Sequence, residues 1–188
     1  MSDNTTDFDV IIIGGGPSGA TAAHEIAIAG HRVLLLERAF RIKPCGGAIP
    51  PCLLGEFDIP RSLLKAEIQS ARMISPKEQK VDMPIDGTFV GMVDRDEFDP
   101  WLRQRAQHAG AELEIAAFKK LEYLDSSKIE VTYITKDADT ETKTATARCV
   151  LGADGARSRV AKQGIPKYAE IPWVLAYHEI VEAPETAT

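Results

Sequence analysis

Asp9-Val10-Ile11-Ile12-Ile13-Gly14-Gly15-Gly16-Pro17-Ser18-Gly19 is the stretch that decides the fold, because an apolar strand runs straight into glycines spaced G-x-G-x-x-G. Gly14 permits a tight turn out of the strand, Gly16 removes the Cβ that would meet a diphosphate, and Gly19 lets the following helix pack closely. Pro17 suits the first turn of that helix, where its missing N–H breaks no bond. With Ser18 it opens a helix whose unpaired N–H groups and positive dipole end favour an anion. Glycines at this spacing also occur in ordinary turns, so what surrounds them decides between the two readings.

Downstream, Gly19, Ala22, Ala23, Ile26, Ala27 and Gly30 recur at helical spacing and are mostly small, as close packing on a sheet requires. Residues 31–37, His31-Arg32-Val33-Leu34-Leu35-Leu36-Glu37, then read as a second buried strand ending in a carboxylate eighteen residues beyond Gly19. That is where a dinucleotide fold places the acid that accepts hydrogen bonds from a ribose. The carboxylate would repel a 2′-phosphate, so the site suits FAD or NAD rather than NADP. The alternative is a buried strand–helix–strand unit with a solvated acid at its end.

The bulk properties exclude several classes. The chain has 188 residues, 44% hydrophobic and 27% charged, with a net charge of −6, which gives nucleic acid no electrostatic attraction. No apolar run approaches the roughly 20 residues of a membrane span. The polar, acidic start resembles neither a secretory signal nor a transit peptide, which leads to the expectation of a cytoplasmic, bacterial protein. Cys45, Cys52 and Cys149 are too few and too scattered for a disulfide framework or a metal site, so no metal is expected and the thiols are read as reduced.

Where a plain NAD domain would continue with a helix, residues 38–51 form a basic, Gly/Pro-rich loop containing Arg38, Cys45, Gly46, Gly47 and Ala48. Bare backbone at Gly46-Gly47 can approach a flat ring or a phosphate, though an ordinary surface loop has the same composition. Residues 67–74, 80–85 and 89–93 alternate like antiparallel strands, with Ser75-Pro76 and Asp86-Gly87 as turns. A helix follows to Gly110, with Asp94 and Glu97 spaced as a capping box and Phe98, Trp101, Leu102, Arg105 and Ala106 along it. Arg95 in its first turn opposes the dipole, and a nearby anion would resolve the conflict. Residues 111–115 read as a strand, and 121–125, 128–135 and 142–148 as a small surface meander. A buried strand from Cys149 breaks into Gly152-Ala153-Asp154-Gly155, where Asp154 either serves a cofactor or caps the next helix. Residues 173–181 read as a last strand.

The order of these pieces resembles the flavoproteins that include the aromatic hydroxylases, through Val93, Arg95, Phe98, Asp99 and Leu102 and through the G-A-D-G-x-x-S turn from Gly152 to Ser158. More narrowly, Arg41-Ile42-Lys43-Pro44-Cys45-Gly46-Gly47-Ala48-Ile49-Pro50-Pro51, Phe57-Asp58-Ile59-Pro60, Ala71-Arg72-Met73-Ile74-Ser75-Pro76 and Val90-Gly91-Met92-Val93-Asp94-Arg95 are similar to the geranylgeranyl reductases of chlorophyll and bacteriochlorophyll synthesis. The resemblance implies an α/β fold: a three-layer, Rossmann-like FAD-binding domain over residues 1–168, with inserted antiparallel strands and a meander. The strands at about 66–94 are open to joining a substrate-binding sheet domain, which would begin at 169–188.

It further implies FAD, with its diphosphate over Gly14, Gly16, Pro17, Ser18 and Gly19 and its adenosine at Glu37 and Arg38. Arg95 would reach the cofactor, Cys45, Gly46, Gly47 and Ala48 would lie near the isoalloxazine, the backbone at Phe118 or Lys119 would meet the adenine, and Asp154 would join the site. NADPH would be the electron donor, and geranylgeranylated (bacterio)chlorophyll or geranylgeranyl diphosphate the substrate. The reduced flavin would deliver hydride to one carbon of an isolated alkene, and a proton would reach the other. Cys45 is a candidate proton donor, with a space-filling thiol as the alternative. The family's third flavin motif, a Gly-Asp segment, has no match, which implies an N-terminal half whose partner half follows Thr188. A cytoplasmic enzyme peripheral to a photosynthetic membrane would fit. The alternatives are an aromatic hydroxylase of the same fold, a plain NAD dehydrogenase and a nucleotide-binding module without turnover.

Overall fold

The structure is a computed structural model that describes residues 5–41, 45, 47–136, 140–172 and 174–177. The chain divides into two compact units, one of Met1–Arg41 and Asp99–Val174, the other of Ile42–Phe98 and Leu175–Thr188.

The first unit is built on a parallel sheet. Strand β1 (Phe8–Ile13) leads through the glycine turn into helix α1 (Pro17–Ile28) and strand β2 (Val33–Glu37). β1 pairs parallel with β2, from Val10 opposite Val33 to Ile13 opposite Leu36. The third parallel strand, which a simple dinucleotide fold would supply next, comes only with β8 (Glu112–Tyr123), whose first residues pair with β2 from Leu34 opposite Glu112. The fourth is the end of β10 (Thr142–Gly152), parallel to β1 from Phe8 opposite Ala147 to Ile13 opposite Gly152. The order β8-β2-β1-β10 is the third-second-first-fourth order of a doubly wound dinucleotide fold.

The two outer strands do not stop at the sheet. β8 continues as far as Tyr123, pairing antiparallel with β9 (Ile129–Thr135), and β9 pairs with the first half of β10. The separate strands expected at 111–115 and 121–125 are thus one strand, as are those expected at 142–148 and from Cys149 onward. Five strands close on themselves in the order β1-β10-β9-β8-β2.

The meander is not a surface feature. Alternation along β1 and β2 sends Ile11, Ile13, Leu34 and Leu36 to the face where Ala116, Phe118, Leu121, Val131, Tyr133, Ala145 and Ala147 of the meander are buried with them. The meander thus supplies most of what this face of the parallel sheet buries against. Ile12, Val33 and Leu35 fall on the opposite face of the strands and are also fully buried. α1 packs on β1 and β2, and its buried positions are Gly19, Ala20, Ala23 and Ala27. The stripe is therefore rotated from the one expected: Ala20 joins it, Ala22 and Ile26 are only half-buried, and Gly30 lies past the helix at φ 88°.

In the second unit, β3 (Ala48–Ile49) is followed by the short helix α2 (Cys52–Glu56), and β3 and β4 (Leu64–Ile68) flank β7 (Val90–Val93) antiparallel, while β5 (Ser70–Ile74) and β6 (Lys80–Pro84) form a hairpin. The single strand expected over 67–74 breaks at Gln69 because its two halves take different partners. The Ser75 turn forms as expected, its hydroxyl accepting the N–H groups of Lys77 and Gln79, and Gly87 takes φ 69° in the other. Glu97 turns both carboxylate oxygens to Lys65 Nζ, each at 2.7 Å, so the acid read as half of a capping box is instead an ion-pair partner of β4. Helix α3 (Arg95–His108) begins in this unit and continues in the first from Asp99. Of the last strand expected, residues 174–177 carry no regular structure and are exposed, and the remainder lies outside the described residues. Among the described residues no helix is long and apolar enough to cross a membrane, and no group of His, Cys, Asp or Glu side chains could hold a metal ion. Cys45, Cys52 and Cys149 form no disulfide.

Candidate dinucleotide site

Gly14 leaves β1 at φ 108°, a conformation that L side chains rarely adopt, and a Cβ there would stand 2.4 Å from the Ala153 carbonyl oxygen. A Cβ on Gly19 would stand 1.8 Å from the Gly14 carbonyl oxygen. Both glycines are thus dictated by the closing of the turn itself. Gly16 differs: its φ of −74° is open to any residue, so backbone conformation does not explain its lack of a side chain. It is the N-cap of α1, and that helix has no side-chain cap and no acid in its first turn. Its first N–H groups and positive end are therefore left to another anion. Pro17 starts the helix, half-buried, and Ser18 beside it is exposed.

Glu37 is buried, not solvated. Its Oε2 accepts the Gly15 N–H at 2.7 Å and its Oε1 accepts the Ala39 N–H at 3.1 Å. A carboxylate has about four lone-pair sites, so these two bonds leave capacity for a ribose hydroxyl. Arg38 is exposed at the strand end. Sequence reasoning missed Arg103, which is 8% exposed and donates through Nη1 to the Gly15 carbonyl oxygen at 3.0 Å, with Cζ 4.5 Å from the centre of the Phe40 ring. Burial pushes its pKa down, and the carboxylates of Asp99 and Glu37 push it back up. Asp99 and Arg103 stand one helical turn apart, which in a sequence looks like an exposed ion pair. Both are buried, beside Leu102 and Ala106.

Lys119 lies where the pairing of β8 with β9 shifts register between Phe118 and Lys120. Its carbonyl accepts from Gln163 Nε2 at 3.1 Å, and the same side chain accepts the Leu121 N–H, so this irregular backbone is held by α4 (Arg159–Gly164). Asp154 Oδ2 accepts the Arg159 N–H at 2.6 Å and the Val160 N–H at 3.4 Å, while Ser158 Oγ accepts that of Ala161 at 2.8 Å. Both side chains therefore cap α4, the alternative its sequence left open; Asp154 Oδ1 is buried and has no partner.

The loop residues belong to the second unit. Gly47 is buried at φ 72°, and a Cβ on it would lie 1.9 Å from the Val93 carbonyl oxygen; its own carbonyl accepts the Val93 N–H at 2.9 Å. This glycine is required by its approach to β7. Ala48 and Cys45 are exposed, and Gly46 lies outside the described residues. Arg95 is the first residue of α3 and half-buried. A cleft of about 200 Å³ in the first unit, lined by Leu121, Tyr123, Ile129, Val150, Val160 and Ile165 among others, includes neither the glycine turn nor Glu37.

Comparison with known proteins agrees with this geometry. A family described as FAD binding domain matches residues 60–170, and one described as FAD dependent oxidoreductase matches residues 9–48. The chain belongs to the FAD binding domain family. A geranylgeranyl diphosphate reductase of Rhodobacter capsulatus is 53% identical over 95% of this chain and 45% of its own length. The chloroplastic geranylgeranyl diphosphate reductase of Arabidopsis thaliana is 36% identical over 94% of this chain and 39% of its own. The chain thus spans less than half the length of these relatives. Among solved structures, a geranylgeranyl bacteriochlorophyll reductase-like protein from Thermoplasma acidophilum superposes with a TM-score of 0.66 at 27% identity, covering 76% of this chain and 38% of that one. A flavin-dependent brominase superposes at 0.70 with 19% identity, over 84% of this chain and 40% of that one, a likeness of fold alone.

Proposed function

We propose, on the premise of that membership, that the chain is the cofactor-binding part of an FAD-dependent geranylgeranyl reductase of (bacterio)chlorophyll synthesis, with a substrate-binding part beginning near residue 169. The observation that carries the reading is the 53% identity to the Rhodobacter capsulatus reductase across nearly the whole chain. The residues fit the cofactor: the uncapped N-terminus of α1 and the conformationally unexplained Gly16 suit a diphosphate, and Glu37 retains lone pairs for a ribose. Gly14, Gly16, Pro17, Ser18 and Gly19 would form the diphosphate cradle, with Glu37, Arg38 and Lys119 at the adenosine and Asp154 beside it. By the same resemblance, Arg95, Cys45, Gly46, Gly47 and Ala48 are further candidates for contact with the cofactor.

When bound, FAD would supply a hydride for one carbon of an isolated alkene, with a proton going to the other and NADPH as the proposed source of electrons. The protein's task is to hold the isoprenoid tail close and dry, because no carbonyl polarises the double bond. Cys45 is exposed and in no disulfide, and is the candidate proton donor in the signature loop. An apolar tail attached to a pigment would suit a cytoplasmic enzyme peripheral to a photosynthetic membrane.

The test is made on the full-length protein with FAD and NADPH. Geranylgeranyl diphosphate or geranylgeranylated bacteriochlorophyll should gain hydrogen one pair at a time, read by mass spectrometry, and the purified protein should carry a flavin absorbance band. Flavin-dependent oxygen uptake with hydroxylation of an aromatic compound, and no gain of hydrogen on the isoprenoid, would replace this reading with that of a hydroxylase.

A further inference from the structure

We propose that Arg103 is the positioning residue of the diphosphate cradle: by holding the Gly15 carbonyl it aims the Gly16 N–H at the bound diphosphate. The inference rests on the FAD reading of the glycine turn. Three consecutive glycines leave this backbone with the least intrinsic restraint a chain can have, so its peptide planes must be fixed from outside. Two side chains do so from opposite ends of Gly15. Glu37 Oε2 accepts its N–H at 2.7 Å, and Arg103 Nη1 donates to its carbonyl at 3.0 Å.

The Gly15 carbonyl and the Gly16 N–H belong to one planar trans peptide and point in opposite directions. A bond that fixes the first therefore fixes the second, directing the Gly16 N–H away from Arg103. Gly16 is the N-cap of α1, at the end of the helix where an anion is favoured. The guanidinium is itself held: it stacks on Phe40 and sits in the field of Asp99 and Glu37. A planar fork can donate and stack at once, which an ammonium group cannot. Gly15 is boxed in between the same two residues, since a Cβ on it would lie 3.0 Å from Glu37 Cβ and 3.2 Å from Arg103 Cδ.

The experiment compares ADP, which carries a diphosphate, with adenosine, which does not, by calorimetric titration of the wild-type protein and of Arg103→Met and Arg103→Lys. Arg103→Met should lower ADP affinity about tenfold and leave adenosine within about twofold, with Arg103→Lys recovering part of the loss. In the amide NMR spectrum, ADP should move the Gly16 resonance downfield in the wild type and markedly less in Arg103→Met. Equal losses for the two ligands, or no loss for either, would overturn the proposal and make Arg103 a packing residue. Should Arg103→Met fail to fold, Arg103→Lys decides: a loss confined to ADP supports the positioning role, and an equal loss or none refutes it. A wild-type protein that binds ADP no better than adenosine would instead overturn the glycine-turn reading, and this inference with it.

Discussion

Glu37→Gln separates what the acid does for the fold from what it does for a ligand. The carboxylate accepts two backbone N–H groups, from Gly15 at 2.7 Å and from Ala39 at 3.1 Å. Glutamine has the same shape but only one accepting oxygen, so one of the two donors must face an amide NH2. A buried donor left without a partner costs about 1–3 kcal/mol, and replacing a charged acceptor by a neutral one at the other costs about 1 kcal/mol more. The sum is about 2–4 kcal/mol, a large share of the roughly 5–15 kcal/mol that holds a typical domain together. In a chain of this size that corresponds to a fall in Tm of roughly 5–15 °C.

The assay is thermal unfolding followed by circular dichroism, without added flavin, beside FAD titration at a temperature where both proteins are folded. The ligand-free variant should melt earlier by that amount, and its FAD affinity should fall about tenfold if one ribose bond is also lost. A ligand-free Tm within about 1 °C of wild type would refute the reasoning, because the two bonds would then contribute nothing to the turn.

Gly19→Ala should prevent the turn from closing, since its Cβ would fall 1.8 Å from the Gly14 carbonyl; soluble protein with wild-type melting and FAD affinity would contradict this. Gly47→Ala meets both a left-handed φ and the Val93 carbonyl at 1.9 Å, and should cost about 2–4 kcal/mol, read as faster hydrogen exchange at the Val93 amide. Asp154→Ala removes the acceptor of two N–H groups at the start of α4 and should lower stability by about 0.5–2 kcal/mol in denaturant titration; an unchanged midpoint would speak against the capping role. The Asp7 carboxyl is held below its ordinary value of 3.8, first by the Thr146 backbone N–H and then by its hydroxyl. Its folded pKa is depressed, so its contribution is present above that value and lost as pH falls through the folded pKa. Asp7→Asn should therefore flatten the decline of stability below about pH 4, and parallel acid titrations of the two proteins would exclude the contribution.

What the sequence determined by itself is local. The apolar run into glycines, the small-residue helix and the strand ending in an acid are written in consecutive residues, because a period of two or of 3.6 and a required positive φ at Gly14 are properties of a short stretch. The turns at Ser75 and Gly87 were legible for the same reason. Partnership was decided only by the tertiary structure. β8 and β10 each take parallel partners over one part and antiparallel partners over the other within a single strand, and nothing local names the partner, since a strand's side-chain period is the same whichever neighbour it bonds. The meander's burial follows from that closure and not from its composition. Cys45 and Gly47, two positions apart in a signature loop, differ in their surroundings, one exposed and the other pressed on β7. Arg103 was hidden most completely: its hydrogen bond spans 88 positions to Gly15, and a charged residue in a helix is indistinguishable from a solvated one until the fold closes over it, because burial of a charge depends on partners that only distant segments supply.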